Sequence, residues 1–124
     1  MMHAHAKTWV YLALVYFLVA IFLGVQMGVS QDYALRSVHT HVHLLGWVSL
    51  TLTGLVYHFF PHAGQSRMAH VHFWLYNSGT PLMLVALALF ARGQGAAQPV
   101  IAIGSVMVLL AVVLFVFNVL RHRG

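Results

Sequence analysis

The chain has 124 residues, 61% of them hydrophobic and 6% charged, with a mean hydropathy of +0.87, far too apolar for a soluble globular domain. Six Lys and Arg against the single acid Asp32 give +5, but the cations sit scattered at segment ends, which reads as membrane topology and excludes a nucleic-acid patch. With no cysteine, disulfides, thiolate-bound zinc, iron–sulfur clusters and covalent c-type haem attachment are all excluded.

Four segments reach the roughly 20 apolar residues that a spanning helix needs. They run from Thr8 to Gly28, Val38 to Phe60, Val71 to Phe90 and Val100 to Leu120, which predicts one all-α domain over residues 1–124. The first is longer than a signal-peptide core, and Gly24 to Gln31 offers no small-residue cleavage pattern, so it is read as a helix. Its neighbours follow through short connections, Val29 to Ser37, Pro61 to His70 and Ala91 to Pro99. Lys7, Arg67, Arg121 and Arg123 fall on the side of the N-terminus, Arg36 and Arg92 on the other. The positive-inside rule then predicts a multi-pass protein of a bacterial-type inner membrane with both termini cytoplasmic.

The second segment carries the chemistry. His39, His41 and His43 alternate at its mouth in Ser37-Val-His-Thr-His-Val-His-Leu-Leu-Gly-Trp47. Ionisable groups beside a bilayer are costly, and the favoured partner of a membrane imidazole is a metal or haem iron. Wound at 100° per residue, His39 and His43 share a face with Gly46, Leu50, Thr53 and Tyr57, whereas His41 faces the other way with Val48, Leu52 and Phe59. Gly46 either leaves room for a flat macrocycle or permits close helix packing. Arg36, just outside the triplet, suits a haem propionate or a lipid headgroup. No other segment has a histidine in its outer half, so a second axial histidine must come from another copy, unless Met27 serves instead.

Leu35-Arg-Ser-Val-His-Thr40 resembles the start of the second helix of the catalytic subunit of haem-copper oxygen and nitric oxide reductases, where Arg-x-x-His-Thr introduces a low-spin haem ligand. His41-Val-His-Leu-Leu-Gly46 is similar to the His-x-His of that subunit's tenth helix, and membrane haem proteins of the nitric-oxide-response group look alike too. The resemblance covers mainly the second segment. It implies a four-helix arc of the kind that, repeated three times, makes that subunit, and hence a homotrimer here. The chain departs from the family in that its spanning segments hold no Asp or Glu. Oxygen reduction to water and proton pumping are therefore not expected, and paired-carboxylate or nucleophilic catalysis has no candidate residues.

On the terminal side His58, His62, His70 and His72 flank one short loop, with His3, His5 and His122 at the same end. They are candidates for a second haem, copper or zinc site, the alternative being solvated surface histidines; His58 lies about 22 Å along the helix from His43. Trp9, Tyr11, Trp47, Tyr57 and Tyr76 read as interfacial belts, Asn77 and Ser78 as interhelical hydrogen-bonders, and Pro81 as a kink. The combined expectation is a protein that binds haem b noncovalently through His39, His41 and His43, for electron transfer or for sensing redox state or gas. The rival readings are a histidine-based copper or zinc handling protein without haem, and an accessory subunit of a respiratory oxidase.

Overall fold

A computed structural model describes residue 2 and residues 4–122. The described residues are helical throughout, with no strand, and four helices are long and apolar enough to cross a membrane. These spans are His5–Ser30, Arg36–Phe59, Arg67–Ala91 and Gly95–Arg121. Each begins ahead of the apolar run that marked it in the sequence, and the second stops at Phe59, one residue short of the Phe60 expected, because hydropathy finds the segment that lipid covers, whereas local backbone geometry fixes where the helix ends.

Helix α1, Ala4–Ser30, stops where Gln31 turns left-handed at φ 58° and its amide bonds to the Met27 carbonyl at 2.9 Å. The Asp32 side chain then accepts from the Ala34 amide at 3.1 Å and turns the chain back. The second span begins as α2, Arg36–His41, widens into a π-helical stretch over Val42–Val48, and continues as α3, Ser49–Phe59. A short helix α4, Pro61–Gly64, makes the corner. Ser66 caps α5, Arg67–Ala91, by accepting from the Ala69 amide, and Pro81 is carried inside that unbroken helix. Helix α5 ends in a Schellman motif at Gly93, whose φ of 97° lets Gln94 N donate to Leu89 O and Gly93 N to Phe90 O. Pro99 stands in the first turn of α6, Gln98–Arg121, where a missing amide costs nothing.

Small residues set the helix crossings. Ala6, Ala13, Ala20 and Met27 form a buried seam on α1 with the seven-residue spacing of a left-handed pair. A side chain added at Gly54 of α3 would come within 2.9 Å of the Ala6 carbonyl. Helices α5 and α6 make the most extensive contact in the molecule, backbone to backbone at Gly79 and Gly104. Apolar side chains in lipid gain nothing from hiding from water, so close backbone approach is the main source of such packing.

Candidate functional site

The π-helical stretch falls on the residues around which the histidine triplet was read. Its wider turn spaces the buried residues of the second span at four through Val38, Val42, Gly46 and Leu50, before Thr53 and Tyr57 resume the α-helical rhythm. The face assigned at 100° per residue is therefore split: Gly46, Leu50, Thr53 and Tyr57 are buried, while His39 and His43 edge that stripe, half-buried beside α1. Their rings meet at 4.7 Å, edge to face. The His39 ring lies against Gly24, 3.0 Å from where a β-carbon would stand, and its Nδ1 is buried with no hydrogen-bond partner. His43 approaches Phe17 of α1, whose ring stacks on Trp47 at 4.4 Å.

His41 turns away from this pair. Its Nδ1 lies 2.7 Å from the Ser37 carbonyl one turn back. A carbonyl only accepts, so Nδ1 carries the proton and Nε2 keeps its lone pair, the arrangement that orients metal-bound histidines. Leu44, Val48 and Leu52, exposed on the same span, give an apolar strip below it. This exposed side has room for a flat group such as a macrocycle. The space beside Gly46 does not: the Tyr16 ring of α1 fills it, so close that an added β-carbon would overlap the ring. Gly46 thus serves helix packing. Arg36 is exposed, and among the described residues no side-chain bond restrains its guanidinium.

Hydroxyls meet the carbonyls that the wider turn displaces. Ser49 Oγ donates to Leu44 O at 2.6 Å, Thr51 Oγ1 to Trp47 O at 2.7 Å, and Tyr76 Oη of α5 to Leu45 O at 2.6 Å. The last bond ties the π-helical stretch to the third span.

The histidines at the other end separate. His62 and His70 are exposed, His58 stands beside Phe59, His122 lies 2.9 Å from the Asn118 carbonyl, and His3 lies outside the described residues, whereas His5 packs half-buried against Trp9, Tyr57 and Phe73 at the edge of the core. No group of three or more His, Cys, Asp or Glu converges among the described residues. His72 alone enters the core, 1% exposed, sandwiched between Trp9 at 4.7 Å and Phe115 at 5.0 Å. Its Nδ1 lies 2.8 Å from the Tyr57 hydroxyl. Asn118, fully buried on α6, donates from Nδ2 to Ala63 O at 2.9 Å and to Tyr57 Oη at 3.5 Å, and accepts from Ser66 Oγ at 2.9 Å. Trp9, Tyr57 and Tyr76 are core residues, not the interfacial belt that the sequence implied; Tyr11, Tyr33, Phe59, Trp74 and Phe90 are among the exposed aromatics towards the span ends. Asn77 bonds Phe73 O within its own helix. Sequence reasoning passed over Asn118, whose signal was a lone amide in an apolar span.

A cavity of about 240 Å³ lies between the second and fourth spans, lined by Ser49, Thr53, His72, Tyr76 and Phe115 among others. It falls below the roughly 300–1,000 Å³ of cofactor pockets. Comparison with protein families, curated proteins and solved structures finds no match to this chain.

Proposed function

We propose that this chain is a membrane redox protein that binds haem b noncovalently and passes electrons, with His41 as an axial ligand. The observation that carries this reading is the His41 ring: its Nδ1 proton is committed to the Ser37 carbonyl, which leaves Nε2 to coordinate iron on a side of the helix where apolar residues are exposed. His39 and His43 sit on the far edge of the same span, so one copy offers ligands in two directions and a second axial imidazole comes from a neighbouring copy. A ring of three copies satisfies every such half-site. Arg36, unrestrained at the same mouth, is the group to meet a propionate. A bound haem would supply a one-electron couple, and the protein's part is to hold the imidazoles, keep the site dry and so set its potential. The larger number of cations on the side of the termini supports a cytoplasmic location for both.

Purification in mild detergent, with optical spectra of oxidised and reduced protein and a haem-to-chain ratio, tests this. The expected result is a sharp reduced α-band of low-spin bis-histidine type. His41→Ala is expected to lose haem and to reduce the oligomer. Protein without a Soret band, or haem content and oligomeric state both surviving His41→Ala, would overturn the reading.

A further inference from the structure

The end of the bundle that gathers the start of α1, the corner at α4 and the end of α6 carries a cavity of about 450 Å³ between α5 and α6. Arg67, Arg121 and His122 form its polar side, with Met68, Val71 and Leu114 below them. Among the described residues, neither guanidinium has a carboxylate to meet. Asp32 is the chain's only acidic side chain, and at the opposite end of the bundle it is held by Arg92 at 2.8 Å. Two arginines gathered over an apolar wall call for an anion from outside the chain, and guanidinium forks match phosphate oxygens.

The apolar wall continues. A second cavity of about 410 Å³, lined by Val71, Trp74, Leu75 and Met107 among others, shares Val71 with the first and runs along the same pair of helices towards mid-span. Trp74, exposed beside it, suits the level of the headgroups. A cationic mouth above an apolar groove has the form of an amphiphile. We propose that this groove binds an anionic phospholipid, with the phosphate on Arg67 and Arg121 and an acyl chain along Val71, Leu75 and Met107. Ser66, in the wall of the first cavity, hydrogen-bonds Asn118, so the seated headgroup rests against the buried Tyr57 and His72 network. The assignment stands on charge and shape alone and does not depend on haem.

Native mass spectrometry in neutral detergent, titrated with phosphatidylglycerol and with phosphatidylcholine of identical chains, tests it. The wild-type protein is expected to favour phosphatidylglycerol by about 30-fold, the factor for two juxtamembrane cations. The double variant Arg67→Gln/Arg121→Gln should bring the two lipids near parity, whereas Lys7→Gln, at the same end but outside the groove, should keep the preference. Equal binding of both lipids by wild-type protein, a comparison that needs no variant, overturns the proposal. So does a preference that survives in the double variant. A third arm adds inorganic phosphate at millimolar concentration: displacement of the lipid at that level would assign the site to a free anion instead, whereas an undiminished lipid adduct supports the groove as a lipid site.

Discussion

The hydroxyl of Tyr57 stands 2.8 Å from Nδ1 of His72, across the gap between the second and third spans. Asn118 Nδ2 donates to the same hydroxyl oxygen, so the phenolic proton is the one that points at His72, and the imidazole carries its own proton on Nε2. Tyr57→Phe removes the only donor to that nitrogen and strands a buried acceptor, at a cost of about 1–3 kcal/mol. Denaturant titration in micelles, followed by helicity, is the measurement. The double variant Tyr57→Phe/His72→Phe should lose less than the sum of the singles, by about 0.5–3 kcal/mol. Strict additivity would mean that the pair does not interact.

Gly46 and Tyr16 form the close approach between the first and second spans. Gly46→Val drives two methyl groups into the ring, an overpacking that costs about 1–3 kcal/mol. Combining it with Tyr16→Ala restores the space, so the double variant should be more stable than Gly46→Val alone. A thermal midpoint that falls further in the double variant would show that the ring contributes more by its own packing than it costs the valine.

The four spans were legible because about 20 apolar residues in a row is a demand of the bilayer and not of the fold. The meeting of His39 with His43 was legible too, since residues four apart share a helix face. The π-helical stretch was not. Winding a sequence at 100° per residue assumes the α-helical turn, and nothing in Val42-His-Leu-Leu-Gly-Trp-Val48 signals that Tyr76, far along the chain, will take the Leu45 carbonyl. The aromatic residues misled for a related reason. Trp9 and Tyr57 lie near span ends, as a belt would, whereas Tyr76 lies deeper, and the packing of α1 against α3 and α5 turns all three inward around His72. Only the fold sets His72 apart from the other terminal-side histidines by burying it, and Asn118 on α6, which bonds its partner Tyr57, was invisible without the fold.

Glycines divide into those that helices need and those they do not. A β-carbon at Gly104 would stand 2.8 Å from both the amide nitrogen and Cβ of Met83, whereas one at Gly28 would meet nothing within 4 Å. Gly104→Ala must push α5 from α6 and is expected to lower stability by about 1–3 kcal/mol. Gly28→Ala, exposed in the last turn of α1, is expected to be neutral or to stabilise by up to about 1 kcal/mol, because alanine loses less conformational freedom in a helix. Parallel thermal midpoints in one detergent decide the point. A Gly104→Ala midpoint at or above that of Gly28→Ala would show that the α5 and α6 backbones do not need to touch.

Asp32 and Arg92 clasp the two loops at the end opposite the termini, with N and O 2.8 Å apart. The Arg92 hydrogen bond, the Ala34 amide and then the Arg92 charge together hold the Asp32 carboxyl below its ordinary value of 3.8. A carboxyl whose folded pKa is depressed adds stability that is fully present above the unfolded value and is lost as the pH falls through the folded one. The clasp should therefore be intact at neutral pH and lapse only in acid, below the ordinary carboxylate range. Both side chains are exposed, so the contribution is small and screened by salt. Asp32→Asn should flatten the acid limb of a plot of thermal midpoint against pH while leaving the neutral value nearly unchanged. Because Asp32 is the chain's only acidic side chain, an acid limb that persists in Asp32→Asn would have to arise from protonating something other than a side-chain carboxylate, and the histidines would be the next groups to replace.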